Sequence, residues 1–401
     1  MLAEEPFCAC PGIGYSPAAM IAGWLRSYQR PSAWLHVPDR QVVLTHQGRT
    51  ALGLLCDLVG LGPADEVLLP AYNCGAEVDP FVHAGCKVIF YRIDRAANAD
   101  IADIRRRMSK ATRLVYITHF FGWPQEIGDL AAFCKQRNVL LVEDCAQALF
   151  SGSGQIRIGK FGDAVIYSFV KFLALPDGGA LVLDHKLAPG PGTMRSAKAA
   201  GTFKESLPLF KKWFMQHGAF WQKHSWARQL LNRSWMQKVT HQPAQGRRAM
   251  LSSNRFIEST RFWRMSRVSR GVLTRTEVQE IVARRRRNFA RLHEQLQPGR
   301  QLVPLHESLP PEVCPMAYPV YAKDPACART CLEQQGILVQ GWPGYYPGMP
   351  WDDYPDACAL KDRLLTLPVH QDLSLAQMDY IARCANSLGK SLPEKRSVGA
   401  A

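Results

Sequence analysis

An amine and a carboxylate stand where two apolar runs end. Lys171 follows Ala164-Val165-Ile166-Tyr167 in the stretch Ser168-Phe169-Val170-Lys171-Phe172-Leu173-Ala174-Leu175-Pro176-Asp177-Gly178-Gly179. Upstream, Val139-Leu140-Leu141-Val142 ends in Glu143-Asp144. A lysine that closes a buried strand and precedes a Gly-Gly turn presents its amine to a pocket rather than to bulk water. An amine and an acid at neighbouring strand ends suit pyridoxal 5'-phosphate. The lysine forms a Schiff base with its aldehyde, and the acid holds its pyridinium nitrogen.

The elements that would position these groups alternate. Val42-Val43-Leu44 reads as a short strand, and Gly48 opens a helical stretch through Val59. Further strands are expected at 66–69, 87–91, 113–117 and 139–142, each preceded by a segment that can be helical. Two more, at 163–169 and 179–183, are joined by the Lys171 loop instead of a helix. Continuous Val/Ile/Leu runs indicate strands buried on both faces, hence a mostly parallel seven-stranded sheet covered by helices. Such sheets bind ligands beyond the carboxyl ends of their strands. Thr45-His46-Gln47-Gly48-Arg49-Thr50 puts a glycine turn at a helix N-terminus just there, a phosphate site in type.

Composition narrows the classes. The chain has 401 residues, 47% hydrophobic and 21% charged, which fits a soluble α/β protein of two domains. The twelve cysteines hold no CxxC pair; Cys8/Cys10 and Cys327/Cys331 lack companion ligands at zinc spacing, so free thiols and no metal are expected. The opening residues, with Glu4 and Glu5, do not read as a secretory signal, and no apolar run is long enough to span a bilayer. A cytoplasmic location is expected. The net charge of +15 implies an anionic counterpart: nucleic acid, a phospholipid surface or a phosphorylated substrate. Arg284-Arg285-Arg286-Arg287 reads as a solvated helix face, and with no nucleic-acid motif beside it a nucleic-acid partner is not expected.

A large domain over 1–260 and a small α+β domain over 261–390 are expected, with a disordered tail at 391–401. Residues 186–260 interrupt the pattern with a basic, tryptophan-bearing insertion. Between 207 and 239, Trp213, Trp221, Trp226 and Trp235 interleave with lysine and arginine. Two readings stand: a helical pair packed on the core, or an interfacial helix resting at the periphery of an anionic membrane. Co-sedimentation with anionic liposomes at low salt separates them, and absence of binding excludes the second. His119, after Ile117-Thr118, reads either as a substrate or cofactor contact or as a satisfied core histidine.

Ordered together, these stretches resemble the DegT/DnrJ/EryC1/StrS group of sugar aminotransferases, which are fold-type I pyridoxal-phosphate enzymes. Gly48-Arg49-Thr50-Ala51-Leu52 resembles the family's phosphate turn. Leu61-Gly62-Pro63-Ala64-Asp65-Glu66-Val67 with Pro70-Ala71-Tyr72, Glu143-Asp144-Cys145-Ala146-Gln147-Ala148, the block Gly162-Asp163 through Ser168, Lys171 and Asp177-Gly178-Gly179, and Leu367-Pro368-Val369-His370 are similar to its other segments. The likeness covers roughly 40–185 and 265–390.

The resemblance implies that Lys171 is the Schiff-base lysine and proton shuttle, and that Asp144 pairs with the ring nitrogen. Gln147 would touch the ring hydroxyl. At the Gly48 turn the amides of Arg49 and Thr50, with the Ser168 hydroxyl, would hold the phosphate. Cys74 stands where relatives carry a ring-stacking aromatic, so either it packs there or Tyr72 takes over. A partner-subunit asparagine expected near Met265 is absent; Ser266 or Ser269 stands in, or nothing does. A homodimer with shared sites is implied. So is an amino transfer from an amino acid donor, glutamate or glutamine, to a nucleotide-linked keto-sugar for polysaccharide or glycolipid synthesis. The alternatives are a sugar dehydratase, whose branch replaces the lysine with histidine, and a non-catalytic scaffold or regulator.

Overall fold

The computed structural model describes residues 7–8, 40–152, 158–187, 189–190, 192–196, 202, 258–297, 301–341 and 344–388. In chain order the elements are β1 (Phe7–Cys8), β2 (Arg40–Thr45), α1 (Gly48–Leu58), β3 (Glu66–Pro70), α2 (Gly75–His83), β4 (Lys87–Tyr91), α3 (Ile101–Arg107) and β5 (Thr112–Thr118). Next come α4 (Gly128–Gln136), β6 (Leu140–Asp144), β7 (Ala164–Ser168), β8 (Gly179–Asp184), β9 (Arg195–Ser196), β10 (Trp263–Arg264), α5 (Arg267–Leu273) and α6 (Val278–Gln295). The last are β11 (Leu302–Pro304), β12 (Tyr318–Ala322), α7 (Pro325–Gln334), β13 (Ile337–Leu338), β14 (Gln340–Gly341), α8 (Pro355–Arg363), β15 (Leu364–Leu367) and α9 (Leu375–Ser387).

The large sheet runs β4-β3-β5-β6-β7-β8-β2-β10-β9. The seven expected strands are all present, and the two-residue strands β10 and β9 lengthen the sheet beyond β2. β4, β3, β5, β6 and β7 are mutually parallel, whereas β8 is antiparallel to both β7 and β2. The reversal at β8 follows from the Lys171 loop, which turns the chain back without a crossover helix. Val67, Leu68, Leu69 and Leu114–Ile117 are fully buried, as strands covered on both faces should be.

A four-stranded antiparallel sheet, β11-β12-β15-β14, forms the second unit, and α6 and α9 pack with it around Phe289, Leu292, Leu367 and Ile381. β1 pairs with β13 of this unit, while β10, just past the boundary expected at 260/261, pairs with β2 of the large sheet. Among the described residues, no helix is long and apolar enough to cross a membrane. The insertion's tryptophans and the tail lie outside the described residues.

The arginine run departs from expectation. Arg284 pairs at the surface with Glu280. Arg285 is fully buried: Nε donates to Gln371 Oε1 (2.8 Å), and the terminal nitrogens donate to the carbonyls of Pro315 (3.1 Å), Met316 (2.9 Å) and Phe172 (3.4 Å). Arg286 donates to the carbonyls of Pro310 and Val313, both at 2.6 Å. Successive helical residues step by about 100°, so four in a row cannot share one face. The run is therefore a solvated face only in part, and one member points into the interior.

Candidate active site

Lys171 ends a single 3-10 turn, Phe169–Lys171, that caps β7. Its loop is held from two sides. The Phe169 amide donates to the Gly178 carbonyl (3.0 Å), and the Phe172 carbonyl accepts from Gln371 Nε2 (2.9 Å) as well as from Arg285. Asp144 ends β6, the neighbouring strand, and is buried; its Oδ1 accepts the Ala146 amide at 2.7 Å. The two strand ends named by the sequence are therefore adjacent.

Gly48, Arg49 and Thr50 form the first turn of α1, whose amides have no intrahelical carbonyl to bond. The preceding residue, Gln47, adds no side-chain cap. A Cβ built on Gly48 would lie 3.5 Å from Ser168 Cβ, so the helix start abuts the end of β7. Arg49 Nε donates to Gln47 Oε1 at 2.6 Å. Thr50 Oγ1 is buried with no hydrogen-bond partner.

The Gly-Gly turn brings these pieces together. Gly178 has φ +143, a backbone region that L side chains rarely enter, and its amide donates to the His46 carbonyl at 2.6 Å. A Cβ on Gly179 would lie 2.5 Å from the Gln47 carbonyl carbon and 2.6 Å from the Gly48 nitrogen. Both neighbours are backbone, so the phosphate-type turn itself would have to move. Gly179→Ala is expected to cost about 3 kcal/mol of stability and to weaken anion binding at the α1 start. A melt in the presence and absence of phosphate checks both; an unchanged melting temperature would contradict the packing.

Gln147 is fully buried. Its Oε1 accepts the Phe121 amide (3.1 Å), while its Nε2 has no partner. Phe121 adopts φ 56, ψ 6, a left-handed conformation that costs a non-glycine residue on the order of 1 kcal/mol. The Phe121 amide thus holds the carboxamide by its oxygen and leaves the amino end unsatisfied. Unpaired buried polar atoms are costly, and those of Thr50 and Gln147 belong to residues expected in the site. Together with the amine, the acid and the uncapped helix start, they fit a phosphate-bearing ring cofactor.

Cys74, the N-cap residue of α2, is half-buried within electrostatic reach of Lys171 and Asp144. The Asn73 side chain fixes this turn by donating to the carbonyls of Pro70 and Ala71. Tyr72 instead lies wholly in the core, its ring 5.1 Å from that of Phe120. Of the two candidates for the stacking position, Tyr72 is enclosed in the core, while Cys74 stays partly exposed at the start of α2. Ser266 N-caps α5 through its hydroxyl, and its amide donates to Asp177 Oδ1 at 2.9 Å. Ser269 is buried against it. Both serines are tied to their own chain.

His119 is a satisfied core histidine. Its Nδ1 accepts the Gln125 amide (3.0 Å) and its Nε2 meets Glu143 Oε2 (2.9 Å). Glu143 also accepts the amides of Gly159, Phe161 and Gly162. Burial alone would raise its carboxyl, but the bonds from His119 and these amides prevail and bring it below the ordinary value.

Two residues enter the site that sequence reasoning passed over. Glu77, in the first turn of α2, accepts the Cys74 thiol at 3.1 Å. Burial first, and then the Asp144 charge, raise its carboxyl to about 7. Lys361, on α8, donates to the carbonyls of Asn73 (2.6 Å) and Gly344 (3.3 Å), and burial lowers its amine to about 8. An acid in the first turn of a helix ordinarily serves the helix dipole, and no spacing links Lys361 to Asn73.

Residues 33–197 match the DegT/DnrJ/EryC1/StrS aminotransferase family. That match covers about two-fifths of the chain. The chain is 34% identical over 158 residues to a dTDP-4-dehydro-2,3,6-trideoxy-D-glucose 4-aminotransferase of Saccharopolyspora spinosa, a match covering 38% of this chain and 41% of that protein. It is 30% identical over 143 residues to a GDP-perosamine synthase of Vibrio cholerae, covering 35% and 39%. The matched part thus spans about two-fifths of these relatives' length. The fold extends further: a sugar aminotransferase structure from Micromonospora echinospora aligns over 96% of this chain and all of its own, with a TM-score of 0.63 at 18% identity.

Proposed function

We propose that the protein is a pyridoxal-phosphate-dependent aminotransferase that carries an amino group from glutamate or glutamine to a nucleotide-linked keto-sugar. The observation that carries this reading is the convergence, at the ends of β6 and β7 and the start of α1, of the Lys171 amine, the Asp144 carboxylate and unsatisfied polar atoms on Thr50 and Gln147. When bound, the cofactor supplies an electron sink for the bond-breaking at the donor's Cα. Asp144 would balance positive charge at the ring nitrogen. The first-turn amides of α1, the Thr50 hydroxyl and Ser168 would hold the phosphate, and Gln147 would serve the ring hydroxyl. Cys74 would contribute an uncharged surface to the pocket, as burial pushes its thiol up. Lys171 would supply the amine that holds the cofactor's aldehyde and would carry the proton that leaves the donor's Cα.

The acceptor class rests on the relatives, which are named for work on dTDP- and GDP-linked sugars. The net charge of +15 suits a diphosphate-bearing substrate. A homodimer, as in the family, is part of the proposal. The test is spectroscopic and then chemical. The purified protein, reconstituted with pyridoxal phosphate, is expected to absorb in the visible and to transfer labelled nitrogen from glutamate to a member of a keto-sugar nucleotide panel. A protein that stays colourless with added cofactor refutes the reading. A coloured protein that transfers nothing favours a non-catalytic role.

A further inference from the structure

Lys361 reaches the site from the far end of the chain. It lies on α8, the helix that leads directly into β15 of the small sheet, and is only 7% exposed. Its Nζ donates to the Asn73 carbonyl at 2.6 Å, across 288 residues of sequence, and to the Gly344 carbonyl at 3.3 Å. Three rings also stand around it, with centres 5.1 Å (Trp351), 5.8 Å (Tyr72) and 5.9 Å (Tyr345) from Nζ. An ammonium group taken out of water is costly unless its donors are used and its charge is met. Carbonyl oxygens and ring faces do both here. A methionine would fill a similar volume without that cost, so packing alone does not account for a lysine at this position.

What the amine holds is the turn before α2. The Asn73 side chain folds this turn on itself by donating to the carbonyls of Pro70 (2.8 Å) and Ala71 (3.1 Å), while its own carbonyl is taken by Lys361. The next residue, Cys74, is the N-cap of α2, and its thiol donates to Glu77 Oε1 in the first helical turn at 3.1 Å. A second line of contacts starts at the same amine. The Tyr72 ring lies 5.1 Å from that of Phe120, and the amide of the following residue, Phe121, donates to Gln147 Oε1 at 3.1 Å. Both lines end on residues that the family likeness puts at the cofactor, Cys74 and Gln147. We infer that Lys361 is a positioning residue for that site: a latch by which α8 holds the Asn73–Cys74 turn, and with it the start of α2, in place. The Asn73 carbonyl stands one peptide before Cys74, so the turn cannot shift without breaking a hydrogen bond from a buried charged donor, one of the stronger kinds. The consequence for the cofactor rests on the function proposed above; the latch itself is measured without cofactor.

The test compares wild type with Lys361→Met, which keeps the apolar stem and loses the donors. Cofactor-free protein is labelled with iodoacetamide, and Cys74 is followed by peptide mass spectrometry against the partly exposed Cys327 as reference. The variant is expected to label Cys74 about tenfold faster at an unchanged Cys327 rate, the scale of one lost hydrogen bond from a charged donor. Reconstituted with pyridoxal phosphate, it is expected to bind about tenfold more weakly and to show a shifted visible band. Tyr354→Phe is the control for stability alone. It removes the bond from that hydroxyl to the Phe90 carbonyl (2.9 Å) at the start of the same helix, and should lower the melting temperature without moving Cys74 labelling or the band. Equal Cys74 labelling in wild type and variant overturns the inference. So does equal acceleration in Tyr354→Phe, or faster labelling with cofactor binding left as in wild type. If the methionine variant does not fold, Lys361→Gln, too short to reach both carbonyls, is read in the same way. Faster Cys74 labelling in a protein whose wild type never takes up pyridoxal phosphate supports the latch while refuting the cofactor reading, so the two fail separately.

Discussion

Lys171→Ala is expected to reduce the proposed amino transfer on the order of 10⁴-fold, the upper range for loss of a proton-transferring group. That corresponds to about 5.5 kcal/mol of barrier. The effect is expected to be large because, in the proposed function, the lysine would do two jobs: hold the cofactor's aldehyde and move the proton during transfer. Lys361 does not substitute, because its amine is committed to the Asn73 and Gly344 carbonyls. The measurement is single-turnover transfer from labelled glutamate, paired with borohydride fixation of the cofactor and peptide mapping. Wild-type fixation lands on Lys171 and the alanine variant loses it. A variant that keeps both fixation and turnover would place the chemistry elsewhere. Phosphate contacts are separate from the lysine, so the variant should still retain cofactor non-covalently.

Arg285→Ala is expected to lose about 3 kcal/mol or more of stability. The guanidinium is fully buried, lies 4.6 Å from the centre of the Phe172 ring and serves three carbonyls. Each buried acceptor left unpaired costs about 1–3 kcal/mol, and the vacated volume adds to that. Arg285→Lys keeps the charge but not the planar fork, so it recovers only part. Denaturant midpoints measure both. The alanine variant should also bind cofactor more weakly, because one donor to the Phe172 carbonyl, next to Lys171, is gone. A loss below about 0.5 kcal/mol, the range of surface substitutions, would show that the buried fork is not a clasp.

The sheet and the main site pieces were readable because they are local. Apolar runs marked the strands, and each chemical group sat at the end of one. Lys171, Asp144, Gly48 and Gln147 all lie within the segment that carries the family match. What could not be read is what comes from far away in the chain. Lys361 meets Asn73 across most of the protein's length, and Glu77 gains its interest only from charges on other elements. The arginine run was partly legible. Arg285, Asn288, Phe289 and Leu292 share one helical stripe, and all four are buried. Reading the four arginines as a block hid that stripe. The burial of Tyr72 was not legible in sequence, since Tyr72 and Cys74 lie on the same short turn and only packing separates them.

The pairing of β9 with β10 bears on what braces the start of α1. Trp263 lies beside Arg195 and Arg264 beside Ser196, and β10 also pairs with β2, the strand that leads into α1. On its other side β2 pairs with β8 along its whole length. Its last residue, Thr45, therefore faces Gly179 on one side and Arg264 on the other. A strand end paired on both sides cannot slide in the plane of the sheet without breaking hydrogen bonds on both, so the helix that follows starts from a fixed point.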